Sequence, residues 1–217
     1  ARLSETAEDG SKVEYTYDGL GRIASELHLQ SSGVLTALES YAYDAAGNLI
    51  AKQGTLANVT YDYDASNRLI SSNDGRYEYD AAGMLSSFID KSGQVTEYRF
   101  DDLGSLVEVK SPAEEITYKY DFDGRRISRG DAAGRIDYVV DRFAPNRLWQ
   151  TVRETDSSGN TVRLNTVFQG GPFSIEESGQ VTYLHRDASG SIRLTTDGSG
   201  VVSGTTNYTA YGEALNT

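Results

Sequence analysis

The chain has 217 residues, a formal net charge of −12, 38% hydrophobic residues, 15 tyrosines and no cysteine. The negative charge argues against a nucleic-acid-binding surface, which is basic, and favours solubility. Without cysteine there is neither a disulfide framework nor a thiolate metal site. No apolar run approaches the ~20 residues of a membrane-spanning helix. We therefore expect no nucleic-acid partner, no membrane span, no metal and no cofactor.

Between residues 13 and 127 one short motif occurs six times. Each copy reads aromatic-Asp-x-x-Gly or Asn, and then reaches Leu or Ile after one further residue, or two in the last copy. The aromatic, Asp and Gly or Asn positions are Tyr17-Asp18-Gly21, Tyr43-Asp44-Gly47, Tyr63-Asp64-Asn67, Tyr79-Asp80-Gly83, Phe100-Asp101-Gly104 and Tyr120-Asp121-Gly124. A fixed period of about 20 residues indicates stacked copies of one small structural unit.

A second aromatic precedes each motif by two residues, and this spacing predicts a strand. The six are Tyr15, Tyr41, Tyr61, Tyr77, Tyr98 and Tyr118. Residues two apart lie on one face of a strand, and the mostly polar residue between them suits a solvated second face. The motif Asp can accept a backbone hydrogen bond two residues on, while Gly, or Asn67, tolerates positive φ. Each repeat is therefore predicted to be a β-hairpin.

The links between hairpins predict a long strip. A second, looser reversal is predicted near Ser32-Gly33, Gln53-Gly54, Asp74-Gly75, Ser92-Gly93 and Ser111-Pro112. About ten hairpins give roughly twenty strands, or ~95 Å of sheet at ~4.8 Å per strand. Twisted open sheets rarely exceed ~10 strands. We therefore expect the strip to fold into a sandwich or to spiral as the wall of something larger.

The two ends of the sequence favour the wall. The chain opens on Ala1-Arg2-Leu3, the Arg-Leu end of a repeat, and neither end carries the polar cap that repeat arrays need. We interpret the chain as an internal piece of a longer polypeptide. Its open strand edges are expected to self-associate, because unpaired edges are templates for further pairing.

From residue 131 the period degrades and a denser signature appears. Its residues are Tyr183, His185, Asp187, Gly190, Ser191 and Arg193, followed by Tyr208, Tyr211 and Gly212. With the six aromatic-Asp copies, this run resembles the RHS (YD-repeat) family, which includes bacterial polymorphic toxins, toxin-complex C proteins and animal teneurins. By this resemblance, residues 1–130 are YD-type hairpin repeats and residues 131–217 are the truncated start of the RHS-associated core.

The resemblance implies an all-β fold, a repetitive antiparallel β-hairpin strip that curls or spirals as part of a hollow shell. In the family that shell encloses a C-terminal toxin, in a protein that is secreted or displayed on the bacterial surface. The expected partners are therefore the neighbouring repeats and the toxin cargo. The family's self-cleavage signature would lie beyond residue 217, so we expect no catalytic residue and no enzyme activity here. The alternative implied by the resemblance is that the chain is part of a self-cleaving processing element whose catalytic residues lie beyond residue 217.

Three other interpretations compete with a purely structural role. His185 lies near Asp187 and Ser191, which invites a Ser-His-Asp triad, but closeness in sequence is no evidence of triad geometry. The Asp-x-x-Gly turns could suggest calcium loops, although each turn usually offers one Asp where calcium needs several oxygen ligands. The tyrosine stripe could bind carbohydrate in an adhesion module, whereas packing between hairpins predicts the same alternation.

Overall fold

The computed structural model describes residues 3–7, 10–55, 58–141, 150–168, 171–187 and 189–215. These residues form strands and turns and contain no helix, so none of them belongs to a helix that could cross a membrane. The predicted repeat end at Ala1 and Arg2 lies outside them. The chain divides into two compact units, one made of residues 1–95 with Thr209–Glu213 and the other of residues 96–208 with 214–217.

The first unit is an antiparallel meander in which each strand pairs with the next along the chain. Its strands are β1 (Ser4–Thr6), β2 (Lys12–Tyr17), β3 (Ile23–Leu29), β4 (Leu35–Tyr43), β5 (Leu49–Gly54), β6 (Val59–Tyr63), β7 (Leu69–Ser72), β8 (Gly75–Tyr79) and β9 (Leu85–Asp90).

The second unit continues the same arrangement. Its strands are β10 (Val95–Phe100), β11 (Leu106–Lys110), β12 (Glu115–Tyr120), β13 (Arg126–Asp131), β14 (Gly134–Asp141), β15 (Gln150–Asp156), β16 (Thr161–Phe168), β17 (Gly171–Glu177), β18 (Gln180–Arg186), β19 (Ile192–Asp197), β20 (Val202–Thr205), β21 (Asn207–Tyr208) and β22 (Ala214–Leu215). Strands β10 to β20 pair in chain order, and β21 pairs with β22. The all-β, antiparallel hairpin prediction is confirmed. The sequence-based boundary at residue 130 stays a prediction.

The motif turns have one repeated geometry, which Asp18 illustrates. Its carboxylate Oδ1 accepts the N–H groups of Leu20 at 2.9 Å and Arg22 at 3.0 Å, while its backbone carbonyl accepts the Gly21 N–H at 3.0 Å. Gly21 has φ 79°, and Asn67 takes the same left-handed role at φ 61°. The turn therefore has the predicted hydrogen bond to the Asp side chain and the predicted positive φ.

A β-bulge marks the start of every motif. In each of the six hairpins the strand register shifts by one residue just before the motif aromatic, as between Thr16 and Tyr17. A bulge bends its strand and increases the local twist. The motif aromatic therefore lies at the same position in every hairpin, between the bulge and the turn.

Alternation along the strands gives the sheet two unlike faces. In β12, Ile116, Tyr118 and Tyr120 are half-buried, while the residues between them are exposed. One predicted reversal needs correction, because Gln53 and Gly54 still belong to β5 and the chain turns only after them. A Cβ at Gly54 would overlap the Leu38 carbonyl and the Glu39 carboxylate, so this position needs glycine for close approach.

Candidate functional site

Successive hairpins are joined by a repeated tyrosine hydrogen bond. The hydroxyl of the motif tyrosine donates to the backbone carbonyl of the Leu or Ile that ends the preceding motif. In the part of the chain that the structure describes, the donor–acceptor pairs include Tyr43 to Ile23 at 2.8 Å, Tyr63 to Leu49 at 2.9 Å, Tyr79 to Leu69 at 2.8 Å and Tyr120 to Leu106 at 2.8 Å. The same residue type therefore makes the same contact from one hairpin to the next, and we call this series the tyrosine ladder.

An arginine reinforces two steps of the tyrosine ladder. Arg68 Nε lies 2.7 Å from Asp64 Oδ2 of its own turn, and the guanidinium lies 4.7 Å from the centre of the Tyr79 ring. Arg22 repeats this arrangement between Asp18 and Tyr43, with the guanidinium 4.5 Å from the ring centre. The motif Asp thus orients the arginine, which adds a cation–π contact to the tyrosine of the next repeat.

In the second motif an asparagine replaces the arginine and links two turns. Asn48 occupies the arginine position of the second motif, and its Nδ2 lies 2.8 Å from Asp44 Oδ2 and 2.9 Å from Asn67 Oδ1. Asn67 therefore supplies both the left-handed turn residue and an acceptor for the neighbouring turn. Phe100 keeps the motif ring but has no hydroxyl to donate.

The C-terminal signature has the same Asp-Arg-Tyr arrangement. Arg193 Nε lies 2.7 Å from Asp187 Oδ2, and its guanidinium lies 5.3 Å from the Tyr208 ring centre. Burial would raise the pKa of Asp187, but hydrogen bonds from Ser189 and Arg193 outweigh it and hold that pKa well below its ordinary value. The signature residues therefore repeat the contacts that link neighbouring hairpins in the earlier motifs.

The remaining signature residues take ordinary positions around that step. Gly190 has positive φ, Ser191 donates its N–H to Asp187 at 3.0 Å, and the Tyr183 ring meets Phe173 edge-on at 5.5 Å. His185 Nε2 lies 3.0 Å from the Thr196 hydroxyl. His185 is thus bonded across the strand pair, whereas the Asp187 carboxylate binds its own turn and Arg193.

A second feature, which the sequence analysis missed, is a buried polar cluster on strands β3 to β5. Glu26 and Glu39 are directly opposite each other across β3 and β4, and each is 0% exposed. Lys52 of β5 is 2% exposed, with its Nζ 3.9 Å from Glu39 Oε2. His28 and Tyr41 are also buried there, His28 Nε2 lying 3.5 Å from Glu26 Oε2. We call these five residues the socket.

The Thr209–Glu213 turn contacts the socket, within the first unit. Glu26 Oε2 accepts the Ala210 N–H at 2.7 Å, and Lys52 forms an ion pair with Glu213. The Tyr211 ring lies 4.8 Å from the Tyr41 ring, and its hydroxyl is hydrogen-bonded to that of Tyr43. We call this turn the clasp. It contains Tyr211 and Gly212 of the predicted signature.

Hydrogen bonding sets the electrostatics of the socket. Burial would raise the pKa of Glu26, but the nearby His28 side chain and hydrogen bonds from Tyr41 and Ala210 outweigh it and place that pKa below its ordinary value. Burial and the hydrogen bond to Glu26 raise the pKa of Tyr41. Glu26 is therefore the ionised acceptor, and Tyr41 donates to it. One signal could have revealed the socket, since Glu39 and Lys52 share the strand face of Tyr41.

Within the described residues, no group of three or more His, Cys, Asp or Glu side chains could hold a metal ion. The charged groups of the socket have partners within the first unit. Lys52 lies between Glu39 and Glu213, and the Glu26 carboxylate accepts hydrogen bonds from Tyr41 and Ala210. The buried charges are therefore paired with each other and with the clasp, as buried charges must be.

The Teneurin YD-shell family model matches residues 3–217. The tRNA3(Ser)-specific nuclease WapA of Bacillus spizizenii is 28% identical, over 99% of this chain and 8% of its own length. The double-stranded DNA deaminase toxin A of Burkholderia cenocepacia is 26% identical, over 97% of this chain and 16% of its own. Teneurin-3 of Mus musculus is 28% identical, over 94% of this chain and 7% of its own. The chain thus spans less than a fifth of each relative.

Proposed function

Because the chain belongs to the teneurin YD-shell family, we propose that it is a wall segment of a β-shell that encloses a C-terminal toxin or effector region of the same polypeptide until delivery. The neighbouring repeats and that cargo are its partners. The parent protein is secreted or displayed on a bacterial surface, a location that suits the toxin among the relatives. In this proposal residues 1–130 are the hairpin repeats and residues 131–217 begin the core region.

The observation that carries the proposal is the tyrosine ladder. At four positions, a hairpin presents to its neighbour the same ring, hydroxyl donor and carbonyl acceptor, so the strip can lengthen by repetition. Wall area then grows hairpin by hairpin, and no step requires a large central core. A strip of this construction is suited to forming a barrier.

The chain itself is proposed to be non-enzymatic. Nuclease and deaminase describe relatives of which this chain matches only 8% and 16%. Those activities fit regions of the relatives outside the match. The motif residues of this chain, such as Asp64 and Tyr79, are proposed to act as structural elements of turn and ladder.

A protease-protection experiment on the complete polypeptide tests the wall function. The polypeptide is digested under native conditions, and survival of its C-terminal region is followed by immunoblot. We expect protection in the wild type and its loss in a Tyr63→Ala/Tyr79→Ala variant, which removes two adjacent ladder rings. Leu103→Ala is the matched control, because Leu103 is an 87% exposed turn residue outside the ladder. If the C-terminal region is cut as fast in the wild type as when expressed alone, enclosure is wrong.

The adhesion and carbohydrate-binding alternative stays a prediction, as does self-association through strand edges. The hydroxyls of Tyr43, Tyr63, Tyr79 and Tyr120 already donate within the strip. Stacking on a sugar would need an exposed ring face, such as that of the 49% exposed Tyr211.

A further inference from the structure

We propose that the socket is a binding site for an aromatic-Gly-Glu turn, occupied in this chain by the clasp and able to take the same turn as a separate peptide. The inference is independent of the enclosed cargo, because it concerns contacts within the first unit alone. It assigns a role to Tyr211, Gly212 and Glu213, which the tyrosine ladder does not use.

Three kinds of contact recognise the clasp. Glu26 accepts the Ala210 N–H at 2.7 Å and so binds the backbone of the turn. Lys52 forms an ion pair with Glu213 and so recognises the charge of that side chain. The Tyr41 ring lies 4.8 Å from the Tyr211 ring and so recognises an aromatic residue at the tip of the turn. Backbone, charge and ring are therefore recognised at separate points.

The burial of the socket charges points to a partner. Removing a carboxylate or an ammonium group from water is costly unless a partner offsets it, and apolar residues at the same positions would usually stabilise a sheet as well. Glu26 and Lys52 each receive part of that compensation from the clasp. Their polarity is accounted for by recognition of the turn more readily than by packing.

The clasp is preformed for binding. Within it, Gly212 N–H donates to the Thr209 carbonyl at 2.9 Å, and Thr209 N–H donates to the Glu213 carbonyl at 2.9 Å. The Glu213 N–H also donates to the Thr209 hydroxyl at 3.1 Å. A turn that is held by its own hydrogen bonds loses little conformational freedom when it binds. Gly212 has φ 83°, which explains why glycine precedes the glutamate.

Hydrogen exchange of the full chain tests the contact between the socket and the chain's own clasp. Glu26→Gln should speed exchange of the Ala210 amide about tenfold to a hundredfold, the loss expected when a hydrogen bond to a charged group is weakened. Glu14→Gln is the matched control, because Glu14 lies on β2, next to β3, and forms a half-buried pair with Lys12 of its own strand. Tyr211→Ala, an exposed substitution in the turn itself, should speed exchange similarly without disturbing β3 to β5. Unchanged exchange of the Ala210 amide in both Glu26→Gln and Tyr211→Ala would overturn the proposal.

Peptide binding tests recognition in trans. The probe is a fluorescent peptide of residues 207–215, added to a Tyr211→Ala/Glu213→Gln chain whose own clasp is weakened. We expect saturable binding at least about tenfold tighter than to the unmodified chain, in which the tethered clasp competes at high effective concentration. A peptide carrying Glu213→Gln, and a control peptide of residues 118–126 from another motif turn, should bind at least about tenfold more weakly, one decade of affinity per lost contact. Equal binding of all three peptides would refute specific recognition.

Discussion

Removing single hydroxyl groups from the tyrosine ladder is the sharpest perturbation that the structure offers. Tyr63→Phe and Tyr120→Phe each keep the ring and delete one donor, to Leu49 and Leu106 respectively. The two tyrosines belong to different hairpins and share no hydrogen bond. Phe100 occupies the same motif position, so a phenylalanine ring suits the site and the substitution isolates the hydroxyl.

The size of the effect follows from the hydrogen bond. A neutral hydrogen bond contributes about 0.5–1.5 kcal/mol net, and its loss leaves a carbonyl without that donor. Tyr63 and Tyr120 are half-buried, and burial is the main cause of the raised pKa of both hydroxyl groups. We expect each substitution to lower the free energy of unfolding by about 1 kcal/mol, and the double variant by about 2 kcal/mol, because independent sites add.

Urea unfolding followed by far-ultraviolet circular dichroism measures these free energies from the midpoint and slope. Tyr77→Phe is the control, since the Tyr77 ring packs on Phe88 at 4.9 Å and its hydroxyl has no hydrogen bond within the described part of the chain. The free energy of unfolding of Tyr77→Phe should stay within about 0.5 kcal/mol of the wild-type value, as for a surface substitution. A double variant that also stays within about 0.5 kcal/mol would refute the ladder as a stabilising element.

Three further predictions concern the turns. Arg68→Met should cost about 1 kcal/mol in urea unfolding by losing the Asp64 pair and the contact with the Tyr79 ring, while the exposed Arg76→Met should cost little. Asn67→Ala should cost about 1–2 kcal/mol, because alanine resists the left-handed conformation; a neutral result would contradict the φ of 61°. Hydrogen bonds from the Arg68 backbone and side chain lower the folded-state pKa of Asp64 below its ordinary 3.8. Its stabilisation is therefore complete above pH ~3.8 and lost as the pH falls through the lower folded value, and urea midpoints at pH 7 and pH 3 should differ less in Asp64→Asn than in the wild type.

Much of the hairpin strip was determined by local sequence. The Asp-x-x-Gly turns, the positive φ of Asn67 and the alternation around Tyr118 and Tyr120 depend on residues within one hairpin. Such features are set by backbone sterics and short-range hydrogen bonds, which a repeated motif reveals by recurring. The antiparallel all-β fold follows from them.

Only the tertiary structure decided the contacts between hairpins and between distant segments of the chain. The motif spacing did not show that Tyr79 donates to Leu69 or that Arg68 covers its ring, because both contacts depend on strand register. The socket was harder still, since Glu26 and Ala210 are 184 residues apart and meet only when the chain is folded. A motif describes a hairpin, but buried charges acquire their partners only in three dimensions, because a charge leaves water only where folding supplies its counterpart.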